Sequence, residues 1–123
     1  MTTAKNATLV IGASEHEERY SNLAISRLLK AGEPVVALGK NKGMVHQVEI
    51  LTGEPELDNI DTVTLYINPM IQRKYYDYIL SLKPRRIIFN PGAENPELEA
   101  LAMKNNIQPQ NACTLVLLAT NQY

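Results

Sequence analysis

Four residues suited to a buried strand, Thr8-Leu9-Val10-Ile11, run straight into Gly12-Ala13-Ser14. An acidic loop with Glu15, Glu17 and Glu18 follows, and an amphipathic helix begins near Ser21. A strand that ends in small residues and feeds a helix makes a place for a phosphate. Small side chains let a ligand approach the backbone, and the helix start offers unpaired N–H groups at the positive end of its dipole. In open α/β sheets the crevice lies at the carboxyl ends of the strands, and the first βα turn is its usual floor.

The rest of the chain keeps this alternation. The first helix runs from about Ser21 to Ala31, with Ala24, Leu28 and Ala31 at i, i+4 and i+7. Ile25 and Leu29 back that stripe, and Gly32 stops the helix. Pro34 to Leu38 reads as a second strand, with its proline at the first position, where a missing donor costs least. Residues 39 to 61 are punctuated by Gly39, Gly43, Gly53 and Pro55, and a short strand fits around Gln47 to Ile50. Thr62 to Tyr66 is a β-branched strand. Asn68-Pro69 then reads as a helix cap with proline at the first helical position. The helix continues to about Leu82, with Tyr75, Ile79 and Leu82 on one face. Arg86 to Phe89 is a strand, Asn95-Pro96 repeats the cap, and Leu98, Leu101 and Ala102 form the next buried stripe. Ile107 to Pro109 fits a short edge strand, and Cys113 to Thr120 a packed terminal helix.

The order β-α-β-(β)-β-α-β-α-β-α predicts a three-layer α/β fold: a doubly wound, mostly parallel sheet of about five strands, covered on both faces. The 123 residues suit one domain, with residues 1–6 expected to be flexible. A formal net charge of −1 gives no basic excess for a nucleic-acid surface. Cys113 is the one cysteine, so no internal disulfide forms, which suits a reducing compartment. Apolar runs fall short of the ~20 residues a membrane helix needs, and residues 1–7 lack a signal-peptide core. A cytoplasmic protein is expected, with no nucleic-acid or membrane partner.

Topology sorts the polar residues. Those just after each strand share the crevice edge: Gly12-Ala13-Ser14, Gly39-Lys40-Asn41-Lys42, Ile67-Asn68-Pro69 and Asn90-Pro91-Gly92-Ala93-Glu94. They expose backbone and bring no obvious acid–base pair. Lys83, Arg85 and Arg86 precede a strand, so they belong on the opposite edge and are assigned to solvation. An NAD-binding enzyme usually carries Asp or Glu at the end of the second strand, for the ribose diol. Here Lys40 and Lys42 stand there and favour a phosphorylated ribose, unless they are simply a solvated loop. The G-x-G-x-x-G spacing is also missing after Gly12.

With Gly12-Ala13-Ser14, Arg19-Tyr20-Ser21-Asn22 and the Asn90-Pro91-Gly92-Ala93-Glu94-Asn95 turn in place, the chain resembles the small bacterial CoA-binding domain proteins. These are stand-alone relatives of the CoA-binding domain of succinyl-CoA synthetase. The likeness runs from about Ala7 to the Cys113 region. Members tend to end the second strand in Val-Asn-Pro and to carry Gln-x-Gly after the fourth. This chain has Leu38-Gly39-Lys40-Asn41 and Asn90-Pro91-Gly92 instead. The resemblance implies a Rossmann-like fold that binds coenzyme A. It implies a diphosphate against Gly12-Ala13-Ser14 and the helix start at Ser21-Asn22, with Arg19 and Tyr20 leading into it. Lys40 and Lys42, flanked by Gly39 and Asn41, would meet the 3′-phosphate. Asn68 and Pro69 would flank the crevice, and Asn90, Pro91, Gly92 and Ala93 would border the pantetheine arm. Repulsion from Glu15, Glu17 and Glu18 must be directed outward or offset by Arg19.

The remaining candidates have ordinary readings. His16 and His46 lack metal-ligand spacing and read as surface histidines, and no metal is expected. Cys113 reads as a small buried hydrophobe rather than a thiol that pairs with coenzyme A. Tyr75, Tyr76 and Tyr78 read as core and rim packing, and an exposed one is a candidate for a homodimer interface. The expected function is non-catalytic binding of coenzyme A or an acyl-CoA. The alternative is an NADP- or nucleotide-using enzyme, or one subunit of a CoA ligase acting with a partner chain.

Overall fold

A computed structural model describes residues 5–123. Residues 1–4, most of the segment expected to be flexible, lie outside the described residues. Lys5 and Asn6 are tied down: Lys5 Nζ donates to the Leu82 and Lys83 carbonyls at 3.2 and 2.6 Å, and Asn6 N to Asn59 O at 3.1 Å.

The chain forms β1 (Ala7–Ile11), α1 (Tyr20–Lys30), β2 (Val35–Leu38), β3 (Gly43–Val45), β4 (Val48–Leu51) and β5 (Ile60–Leu65). It continues through α2 (Pro69–Gln72), a 3₁₀ turn (Arg73–Tyr75), α3 (Tyr76–Ser81) and β6 (Arg86–Phe89), then α4 (Pro96–Lys104), β7 (Gln108–Asn111) and α5 (Thr114–Ala119). One seven-stranded sheet has the order β3-β4-β2-β1-β5-β6-β7. All neighbours are parallel except β3 and β4.

The fold is the expected mostly parallel α/β sheet, with seven strands rather than about five. The additional strands lie at the edges, where sequence signals are weak. β3 and β4 form a hairpin turning through His46 and Gln47, at φ 48° and 72°. Such a turn is normally announced by Asn-Gly or Asp-Gly, and His-Gln gives no such cue. β7 is Gln-Pro-Gln-Asn, polar throughout, and its proline is acceptable only because the strand is at an edge.

Two cores sandwich the sheet. On one face Leu9, Ile11, Val63, Leu65, Ile87 and Phe89 pack against Tyr78, Ile79 and Leu82 around α3 and Leu98 and Ala102 of α4. On the other, Val10, Ala37 and Ile50 meet Ile25 and Leu28 of α1, with Leu118 and Tyr123 closing the layer. β1 is buried along its whole length, as a central parallel strand must be. The single helix expected from Asn68 to Leu82 is interrupted at Arg73–Tyr75. The interruption follows Gln72, a fully buried side chain hydrogen-bonded to two loop carbonyls. Tyr78 is buried and Tyr75 and Tyr76 are half-buried against the first core, so these tyrosines do serve as core and rim packing.

The edge away from the crevice corrects one assignment. Lys83 is exposed and Arg85 pairs with Asp61 at 2.9 Å, but Arg86 is only 6% exposed. Its Nε donates to Thr62 Oγ1 at 3.0 Å and its Nη1 to Gln110 Oε1 at 3.2 Å. Its guanidinium lies 4.4 Å above the Tyr123 ring, and the Tyr123 hydroxyl bonds Thr8 Oγ1. Position relative to the strand set the edge correctly. Burial came from the end of the chain folding back over that edge, which local pattern does not reveal.

Candidate functional site

The chain leaves the sheet in opposite directions from β1: β2 lies on one side and β5 on the other. That switch point opens a crevice of about 970 Å³ at the carboxyl ends of the strands. Its floor is the Gly12-Ala13-Ser14 turn.

Gly12 is demanded by packing as much as by any ligand. It sits at φ 100°, and a Cβ there would lie 2.8 Å from Tyr66 O. Gly39 is similarly confined, since a Cβ would lie 2.5 Å from Ala13 O. The N–H groups of Gly12 and Ala13 both donate to Leu38 O, at 2.9 and 3.1 Å. Backbone donors for an anion therefore come from the start of α1. Arg19 precedes that helix in extended conformation and no side chain caps it. Asn22 and Leu23 donate to Arg19 O, which leaves the N–H groups of Tyr20 and Ser21 at the helix mouth.

Most expected residues line the crevice. Gly12, Ala13 and Ser14 are joined by Arg19, Tyr20 and Ser21 on one wall. Gly39, Lys40, Asn41 and Lys42 border the β2 side. Asn68, Pro91, Gly92 and Ala93 border the β5–β6 side. Arg19, Lys40, Lys42 and Lys74 line this space, and among the described residues none is in an ion pair. The excess of unpaired cations gives the crevice the sign a phosphate needs.

Three expected residues, Asn22, Pro69 and Asn90, lie outside the crevice lining. Asn90 is 2% exposed: its Nδ2 donates to Thr64 Oγ1 and Leu65 O at 2.7 and 2.9 Å, and its Oδ1 accepts from Thr114 N at 2.9 Å. It pins the end of β6 to β5 and to the start of α5 and does not line the crevice. Asn22 is 5% exposed, donates to Ser14 O at 2.9 Å and bonds His46 Nε2 through Oδ1 at 3.2 Å. Pro69 is exposed at the first position of α2, outside the crevice lining. Asn68 lines the crevice and also caps α2, its Oδ1 accepting from Ile71 N at 2.9 Å.

Residues that the loop-by-loop reading passed over complete the walls. Ile71, Lys74 and Tyr75 face the crevice from α2 and the turn behind it, and Thr52 and Gly53 from the end of β4. The i, i+3, i+4 spacing of Ile71, Lys74 and Tyr75 is the signal that would have found them. Gln72 supports this wall from behind. Its Nε2 donates to Ile67 O and Ala93 O, both at 2.8 Å, and its Oε1 accepts from Asn95 Nδ2 at 2.8 Å.

The glutamates do not all turn outward. Glu18 stands 3.8 Å from His16, but Glu15 lines the crevice and accepts from Met44 N at 3.0 Å. His16 and His46 are both exposed, as expected. Cys113 is half-buried just before α5. Burial pushes the Tyr66 phenol up to about 12 against the lowering pull of the nearby Thr114 and Thr64 hydroxyls, and its buried hydroxyl makes no hydrogen bond of good geometry among the described residues. A second hollow of about 560 Å³ lies at the opposite edge, lined by Glu54, Glu56, Asp58 and Tyr78. Its carboxylates are the wrong sign for a phosphate ligand. Among the described residues no helix is long and apolar enough to cross a membrane.

Comparison with known proteins agrees with this geometry. An uncharacterized protein of known crystal structure is 45% identical, with a TM-score of 0.94, covering 98% of this chain and 100% of its own. A hypothetical protein from Pyrococcus horikoshii OT3 shares 20% identity at a TM-score of 0.82, over 91% of this chain and 80% of that one. A Thermus thermophilus protein shares 16% at a TM-score of 0.82, over 96% and 91%. The last two show the fold alone. No curated protein matches. The sequence profile described as "CoA binding domain" matches residues 6–119, nearly the whole chain, and the conclusion is that this chain belongs to the CoA binding domain family.

Proposed function

We propose that the chain binds coenzyme A or an acyl-CoA in the crevice above β1 and does not itself transform it. The observation that carries this reading is the pairing of an uncapped α1 start with unpaired Lys40 and Lys42 across one crevice. The ligand's diphosphate would lie at Ser14 and Ser21, its 3′-phosphate at Lys40 and Lys42, and its pantetheine arm between Ile71, Tyr75 and Ala93. The half-buried, unpaired Cys113 fits a reducing cytoplasmic setting.

Thermal unfolding tests the reading. Coenzyme A at ~100 times its dissociation constant stabilises a folded protein by about 2.7 kcal/mol, a readily measured shift. Coenzyme A or an acyl-CoA is expected to give that shift. A shift with NADP alone would replace the reading with its rival, a nucleotide-using enzyme, because the same two lysines suit a 2′-phosphate. Turnover that appears only with a copurifying chain would identify a ligase subunit instead.

A further inference from the structure

We infer that Glu15 is an internal competitor for the ligand's phosphate: it latches the β3–β4 hairpin to the first βα turn until an anionic ligand displaces it. This rests on the coenzyme-binding reading above and concerns the regulation of that same site.

Besides the pairing of β4 with β2, two side-chain ties join the hairpin to the first βα turn and α1. One is neutral: Asn22 links Ser14 O, at 2.9 Å, to His46, at 3.2 Å. The other is charged: Glu15 Oε2 accepts from Met44 N at 3.0 Å. The carboxylate lies directly on the backbone of Gly43, where a Cβ would fall 2.4 Å from Glu15 Cδ and 2.7 Å from its Oε2. Only a glycine leaves room for this seat.

The carboxylate side chain of the charged tie lines the crevice, whereas Asn22 and His46 do not. Glu15 shares that space with Arg19, Lys40, Lys42 and Lys74, the cations a phosphate would use. A phosphate seated among these cations would share the cleft with the Glu15 carboxylate, and two anions in one cleft repel each other. Phosphate binding therefore favours a Glu15 that has swung out. That movement breaks the Met44 bond and leaves the Asn22–His46 contact as the remaining side-chain tie to the hairpin, while β4 stays paired with β2 and Val45 and Ile50 stay in the core. In the resting chain the carboxylate thus opposes an incoming anion, and ligand binding releases its tie to Met44 while filling the crevice.

Two variants separate charge from position. Glu15→Gln removes the charge and keeps the shape. Gly43→Ala keeps the charge and drives the carboxylate off its seat, and the Gly43 backbone is outside the left-handed region, so alanine is tolerated. Each is titrated with inorganic pyrophosphate and with coenzyme A by amide NMR, and Met44 amide exchange is followed. Pyrophosphate is expected to bind Glu15→Gln about tenfold more tightly than the parent chain, and Gly43→Ala more tightly as well. Met44 exchange is expected to quicken in ligand-free Gly43→Ala, and in the parent chain on adding pyrophosphate. Unchanged affinity in both variants overturns the latch. Weaker affinity in both also overturns it and makes Glu15 a direct ligand contact. Tighter pyrophosphate binding with no coenzyme A binding in any form keeps the latch and removes the coenzyme reading. Equal coenzyme A and pyrophosphate binding by all three does the reverse. Binding of neither probe by any form removes both.

Discussion

Gln72 Nε2 donates to the carbonyl of Ala93 at 2.8 Å, so one fully buried side chain ties together the two loops that form the β5–β6 wall of the crevice. The same amide holds Ile67 O, and its oxygen is held by Asn95, which caps α4 through Glu97 and Leu98. Replacing Gln72 by Leu preserves bulk and removes a hydrogen bond from each of Ile67 O, Ala93 O and Asn95 Nδ2, of which Asn95 Nδ2 keeps its bond to Tyr76 Oη. A loss of roughly 2–3 kcal/mol is expected, because unsatisfied buried groups lose their full desolvation penalty. Urea unfolding measures it. An unchanged midpoint would show that water replaces the amide and that the wall does not depend on it.

Lys40 and Lys42 carry the choice of ligand under the proposed function. Replacing both by Ala is expected to weaken coenzyme A binding by about tenfold or more, on the scale of ~1.4 kcal/mol per decade. Dephospho-coenzyme A, which lacks the 3′-phosphate, should be nearly unaffected. Calorimetric titration of both ligands compares the two losses. Equal losses would place the lysines on the diphosphate instead.

Asp61 gives the fold an acid-sensitive element. Burial raises its carboxyl, but hydrogen bonds from Arg85 and Thr62 outweigh this and hold it below 3.8. A carboxyl depressed in the folded state contributes stability that is complete above its unfolded pKa and lost as pH falls through the folded value. Both groups are partly solvated, so the pair is expected to contribute roughly 1 kcal/mol or less. Asp61→Asn should therefore cost that amount at neutral pH and almost nothing near pH 2. Chemical denaturation across that range measures the convergence; parallel curves would remove Asp61 from the acid response.

Tyr66 is expected to behave in the opposite sense. Its buried hydroxyl makes no hydrogen bond of good geometry, so Tyr66→Phe should leave stability unchanged or raise it by up to about 1 kcal/mol. Its phenol is pushed up to about 12. Stability is then complete below the unfolded value near 10 and falls as pH rises toward 12. The phenylalanine variant should resist alkali better in a thermal scan at rising pH. A destabilised variant would reveal a hydrogen bond to the neighbouring Thr64–Thr114 hydroxyl pair.

The central strands were legible because burial on both faces demands continuous apolar runs, as in Leu9-Val10-Ile11 and Ile87-Ile88-Phe89. Asn68-Pro69 and Asn95-Pro96 announced their helices because cap chemistry is local. The β3–β4 hairpin and β7 were harder, since pairing at an edge needs little hydrophobicity and His46-Gln47 lacks turn chemistry. For the crevice, chain position told which residues reach the correct edge, but not which way a side chain turns there. Asn90, Asn22 and Glu15 reach that edge as expected, yet each is committed to a partner in another element. Arg86 shows the same limit at the other edge, where its partners Thr62, Gln110 and Tyr123 are distant in sequence.

The two sheet margins also bear on strand addition. A strand margin with free backbone groups invites another strand to add on. β3 offers only three residues and follows charged Lys42, and β7 carries Pro109, which has no N–H to donate. Both margins are thereby blunted against strand addition. Edge-to-edge addition of a further strand to the folded chain is disfavoured at both ends of the sheet.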